Sequence, residues 1–176
     1  QLGRRMPFWD RSLDVVVLTH PDSDHVTGLI PVLERYQVGA LLWRPIDFLS
    51  PQYRRYQEIA AARGIPTYDG IAGVEMDLGD GVRMSVISPG PTPYEENGKD
   101  DPNNNSVVLV LRCGEISFLL TGDAEEPVEQ ALLAAGAVPR VTVLKAGHHG
   151  SRSSTSAALL RAADPQSVVI SVGLGN

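Results

Sequence analysis

The four histidines of this chain stand in two short clusters, His20 with His25 and His148 with His149, and each cluster follows an apolar run. That sorting constrains the fold more than any bulk property does. If the imidazoles act together, two strand ends far apart in sequence have to meet.

The first apolar run covers 13–19 and carries Val15, Val16 and Val17, which predicts a buried strand. It leads straight into His20-Pro21-Asp22-Ser23-Asp24-His25, two imidazoles and two carboxylates within six residues. In a loop that tight, Asp22 and Asp24 repel each other unless a cation compensates them. The plainer account is that Asp22, Ser23 and Asp24 cap the helix that follows. Capping explains any one of them but does not explain the set together with a second histidine cluster.

That second cluster follows a strand predicted over 141–145, as Lys145-Ala146-Gly147-His148-His149-Gly150-Ser151. A histidine pair between glycines gains nothing obvious from packing. One ring can bind metal while the other orients it, shuttles a proton or contacts substrate, unless His149 is an exposed bystander. Ser151, Arg152, Ser153, Ser154 and Thr155 lead into a helix start, where hydroxyls, backbone N–H groups and a guanidinium together suit phosphate. Any single hydroxyl there is equally well read as a cap. Between the clusters, Thr121-Gly122-Asp123 follows another apolar run, and its glycine permits close backbone approach. Asp123 alone reads as well as a cap, a duty Glu125 and Glu126 could share.

The rest of the chain alternates strand and helix signals. Helices are predicted over 28–36, over 51–63 behind a Ser50-Pro51 start, over 125–135 and near 155–163. Strands are predicted at 40–43, 82–88, 106–112, 116–121 and 168–172. Residues 90–105, rich in Pro, Gly, Asn and acid, read as a long loop. This order predicts a strand-rich α/β layered domain with polar clusters at strand ends.

Composition sets limits on partners. With 176 residues, 43% hydrophobic and 20% charged, the chain suits one soluble domain, 1–176. No apolar run reaches the roughly 18 residues of a membrane span, and no leader pattern opens the chain. A net charge of −6 argues against gripping nucleic acid through the whole surface. Cys113 is the single cysteine, expected as a buried, inert thiol. Trp9, Trp43, Tyr53 and Tyr56 are weighed as base-stacking groups, with core packing the alternative for the last three. Both ends are expected to be clipped, as in a fragment of a larger protein.

In this order the motifs resemble the metallo-β-lactamase superfamily. Residues 20–25 match its first metal motif, Asp123 its later bridging aspartate, and His148 its last metal histidine. The resemblance is closest to the metallo-β-lactamase-like domain of ComEC-type competence proteins, on Leu18-Thr19 before that motif, Asn105-Ser106-Val107-Val108-Leu109, Leu120-Thr121-Gly122-Asp123, residues 145–151 and the closing 170–176. It implies an αββα sandwich and one or two divalent ions, manganese or zinc, with no organic cofactor. It also implies a soluble extracytoplasmic domain of a bacterial membrane protein, attached to a transmembrane channel and acting on DNA during uptake.

The ligand set it implies is His20, Asp22, Asp123 and Asn105 for one ion, and Asp24, His25, Asp123 and His148 for the other. Asp24, Asp123 and His149 would be catalytic, with His149 protonating the leaving oxygen, and Lys145, Ser151, Arg152 and Ser153 would hold phosphate. Asp22 replaces a usual histidine and Asn105 stands near where another is expected, so the first pocket is oxygen-rich and favours harder ions. Two other functions fit the same residues: hydrolysis of a small ester, lactone or cyclic phosphate, and a non-catalytic module that binds DNA or a partner.

Overall fold

A computed structural model describes residues 2–173. The valine-rich run forms β1 (Ser12–Leu18), which pairs in parallel with β2 (Gln37–Trp43), and β2 pairs in parallel with β3 (Thr67–Asp69). A second sheet of six strands has the order β11-β10-β9-β8-β5-β4. Its members are β4 (Glu75–Asp77), β5 (Val82–Ser88), β8 (Val108–Cys113), β9 (Ile116–Leu120), β10 (Val143–Lys145) and β11 (Ser167–Val169). β9, β10 and β11 run parallel, and the pairs joining β9, β8, β5 and β4 are antiparallel. A small hairpin, β6 (Glu95–Glu96) with β7 (Lys99–Asp100), rises out of the long loop.

Strand alternation sorts the side chains into three cores. Val16 and Leu18 of β1 face outward onto α1 (Ser23–Val26), α2 (Ile30–Arg35) and α3 (Pro51–Ala62), packing with Val26, Leu33 and Tyr56. Val15 and Val17 face inward, against Met84, Val86 and Leu109 of the second sheet. On β8, Val108 and Val110 turn the other way, to Val128 and Leu132 of α4 (Glu126–Ala134) and Leu159 of α5 (Ala157–Ala163). The layers are therefore helix, sheet, sheet, helix, the αββα sandwich expected. Each fully buried leucine or valine removed from water contributes about 1.5–3 kcal/mol.

Several expectations shift. The helix expected over 28–36 is α2, Ile30–Arg35, with Pro31 in its first turn, and a separate short helix, α1, precedes it within the first polar cluster. Ser50 caps α3 as expected, its hydroxyl accepting the Tyr53 N–H at 3.3 Å. The last helix starts at Ala157, behind a Ser156 cap, rather than near Thr155. β11 ends at Val169, not 172, and the resembling residues 174–176 lie outside the described ones. Cys113 is exposed at the end of β8, not buried, because it sits at a hairpin turn. Trp43, Tyr53 and Tyr56 belong to the core, Trp43 and Tyr56 meeting edge to face at 5.4 Å.

Candidate metal centre

The first polar cluster follows the end of β1, Asp123 follows β9, and His148 and His149 follow β10, so the sandwich delivers all three to one edge. Asp123 is 2% exposed. Its Oδ2 lies 3.3 Å from His25 Nε2, 3.2 Å from His149 Nε2 and 3.9 Å from His20 Nε2. Its Oδ1 faces Lys145 Nζ at 3.4 Å, while that ammonium also donates to Gly122 O at 2.7 Å. Burial alone would raise the Asp123 carboxyl. The hydrogen bond and charge of His25, with the charges of His20 and Lys145, outweigh it and hold the group well below the usual carboxylate range.

Asp24, His25, Asp123 and His149 each offer one donor atom, all within 4.8 Å of one another. His149 Nε2 is 3.1 Å from Asp24 Oδ2 and 3.1 Å from His25 Nε2, and His25 Nε2 is 3.7 Å from Asp24 Oδ2. A tetrahedron of donors around an ion at about 2.1 Å has edges of about 3.4 Å. Five of the six separations lie between 3.1 and 3.7 Å and bracket that edge, so the group could hold a single small cation.

His20 supplies a second observation. Its side chain is 1% exposed, and its Nε2 has no hydrogen-bond partner. Asp22 Oδ2 at 3.6 Å and Asp123 Oδ2 face that nitrogen. An orphaned buried imidazole nitrogen is costly unless something satisfies it. Thr19 Oγ1 at 3.1 Å and Ser106 Oγ at 3.3 Å stand beside Nδ1 and can receive its proton, leaving the Nε2 lone pair free for a cation. Asp22 occupies the N-cap position of α1 without making a side-chain capping bond. The capping account therefore fails for Asp22.

Gly122 makes the approach possible. It has φ +56, and a Cβ there would fall 2.8 Å from Ser106 Cβ and 3.1 Å from Thr19 Cβ. Its neighbour's amide, Asp123 N–H, donates to Ser106 Oγ at 3.0 Å and fixes the carboxylate from behind.

The His148-His149 turn holds both residues in the left-handed region, φ +42 and +54. Such conformations cost of order 1–3 kcal/mol each and persist only when the surroundings dictate them. Here His148 N–H donates to Gly122 O at 3.2 Å, and Gly147 N–H to Thr155 Oγ1 at 2.8 Å. His149 Nδ1 is 2.6 Å from Ser171 O.

Two expected ligands take other places. His148 does not join the donor cluster; its Nδ1 is 2.9 Å from Glu125 Oε1, which also accepts from Ser153 Oγ at 2.7 Å. His149, expected as the proton donor, is the ring whose Nε2 joins the clustered donors. The two rings of adjacent residues diverge, and spacing cannot say which one turns inward. Asn105 is buried, but its amide staples the long loop: Oδ1 accepts Tyr94 N–H at 3.0 Å, and Nδ2 donates to Tyr94 O and Asp101 O at 2.7 and 2.8 Å. Both amide protons are spent on backbone, and Oδ1, the atom a metal role would need, already accepts one backbone N–H.

Of the expected phosphate residues, Lys145 is engaged by Asp123 and Gly122, and Ser153 by Glu125. Ser151 Oγ lies 2.9 Å from Ser153 Oγ. Arg152 is exposed and, among the described residues, has no ion-pair partner. It lines an open pocket of about 480 Å3 with Asp24, His148, His149 and Ser151. Sequence reasoning missed the roles of Thr19, Ser106 and Glu125; hydroxyls and a carboxylate next to motif residues were the only signal.

The metallo-beta-lactamase superfamily model matches residues 10–173. ComE operon protein 3 of Bacillus subtilis is 32% identical over 94% of this chain and 21% of its own length. Recombination protein 2 of Haemophilus influenzae is 30% identical over 97% of this chain and 19% of its own. Competence protein ComA of Neisseria gonorrhoeae is 31% identical over 94% and 21%. The chain thus spans about a fifth of the length of these relatives. The solved structure of CmlA, a diiron beta-hydroxylase from Streptomyces venezuelae, matches with a TM-score of 0.62 at 15% identity, over 94% of this chain and 36% of that one. That likeness concerns the fold alone.

Proposed function

We propose, from the premise that this chain belongs to the metallo-beta-lactamase superfamily, that it is a metal-dependent hydrolase cleaving DNA phosphodiester bonds during DNA uptake. The observation that carries the metal chemistry is the convergence of three imidazole Nε2 atoms on one oxygen of buried Asp123. The choice of DNA is supported by the relatives, which are named as competence and recombination proteins.

Asp24, His25, Asp123 and His149 would hold one ion, zinc or manganese, and His20, Asp22 and Asp123 a second, with the oxygen-rich pair favouring manganese. Divalent metal supplies Lewis acidity toward the phosphoryl oxygen and ionises water at neutral pH. The chain's own groups do the rest. Lys145 holds Oδ1 of Asp123, so that Oδ2 stays turned to the imidazoles. Thr19 and Ser106 fix the His20 ring. Arg152, unpaired in the pocket, takes a phosphate oxygen. His148, oriented by Glu125, would pass a proton to the leaving oxygen, the task expected of His149.

Among the described residues, no helix is long and apolar enough to cross a membrane. The domain would work as the extracytoplasmic part of a larger membrane protein, beside its DNA channel. The direct test incubates a linear single strand with protein and manganese. The strand should shorten, and Asp123→Ala protein should leave it intact; equal behaviour of the two proteins removes the proposal.

A further inference from the structure

Of the aromatic groups weighed for base stacking, three are core, but Trp9 is 74% exposed and its neighbour Phe8 is 84% exposed. The two rings meet edge to face at 4.8 Å. Phe8 lines a recess of about 370 Å3 with Arg11, Arg35 and Tyr36, Trp9 stands against Phe8 beside that lining, and exposed Arg4 and Arg5 belong to the same segment of chain. Among the described residues none of these four arginines forms an ion pair; the paired ones are Arg44, Arg55, Arg83 and Arg140. The acid lining the recess, Asp10, is occupied, accepting the Ser12 N–H at 3.1 Å and the Ser12 hydroxyl at 2.8 Å. A chain of net charge −6 thus carries, in this recess and the segment beside it, four guanidinium groups without an ion-pair partner among the described residues, against one carboxylate, Asp10, on the lining.

We propose that this recess binds single-stranded nucleic acid, with phosphates on Arg11 and Arg35 and a base stacked on Trp9. Guanidinium forks match phosphate oxygens in pairs, and exposed rings stack on any base without reading sequence. Phe8, Arg11 and Arg35 share the lining of one hollow with Trp9 beside it, which suits a nucleic-acid strand laid into it. The recess precedes β1 and the metal centre follows it, so the two lie roughly 20–30 Å apart along a strand of this length. A strand held at one end would be presented to the other. The inference rests on the DNA reading for its choice of ligand, but binding here needs neither metal nor Asp123.

The test uses the full chain in EDTA with fluorescein-labelled oligothymidylate, read by anisotropy, and tryptophan emission as a second signal. Binding should weaken with salt and quench Trp9, and Asp123→Ala should bind like the parent. Trp9→Ala and the Arg11→Glu/Arg35→Glu double variant should each bind about tenfold more weakly, while Trp9→Phe retains affinity. No binding by the parent chain, equal binding by the variants, or Trp9-dependent attachment to phosphatidylglycerol vesicles in place of the oligonucleotide would overturn it. DNA binding without cleavage would sink the nuclease reading and leave this one standing.

Discussion

His25 Nε2 and His149 Nε2 stand 3.1 Å apart, although 124 positions separate the two residues. At that distance only one proton fits between the nitrogens, so at least one lone pair is turned into the shared space. Asp24 and Asp123 turn oxygens into the same space. A group of donors gathered this closely is stable when a cation sits among them, and the consequences reach several residues that never touch it.

Gly122 is one such residue. Alanine there would carry a side chain in a left-handed backbone and drive its Cβ into Ser106 and Thr19. Strain and overpacking together should cost about 2–4 kcal/mol. Urea unfolding of Gly122→Ala should show that loss, and an unchanged midpoint would mean that the loop accommodates the methyl group.

Glu125 holds His148 and Ser153 but none of the clustered donors. Glu125→Gln should lower DNA cleavage about 10–100-fold while leaving bound metal unchanged. A parallel fall in metal content would instead make Glu125 part of the ion's support.

Tyr56 is fully buried, and its hydroxyl has no partner. Burial, then the nearby Tyr53 hydroxyl, push its pKa well above the ordinary 10.0. The unfolded chain therefore releases this proton around pH 10 while the folded chain keeps it. Stability from this group is complete below about pH 10 and is lost as pH rises beyond it. Urea midpoints should fall between about pH 9 and 11 in the parent and fall less in Tyr56→Phe. At neutral pH that variant should be neutral or up to about 1–3 kcal/mol more stable, since it removes an unsatisfied hydroxyl.

How far the sequence reached depended on how local the signal was. A layered α/β order was legible because a strand buried on both faces, such as β1, leaves an apolar run, here Val15 to Leu18, while the αββα arrangement itself was implied by the resemblance. Strand β3 was not legible: Thr67, Tyr68 and Asp69 are exposed and owe their pairing to β2 alone. Asp123 was found by its company. Which ring of the pair turns toward Asp123 was not, because that depends on two left-handed residues and on Glu125 across the turn. The backbone contacts of Asn105 were not legible for a similar reason, since they lie in a loop with no periodic pattern.

The shared-cation claim is tested most directly by counting metal. Protein loaded with zinc or manganese, dialysed, and analysed by elemental mass spectrometry should retain at least about one ion per chain, and Asp123→Ala should retain essentially none. A parent protein that holds no ion at saturating metal, or a variant that holds as much as the parent, would contradict the account.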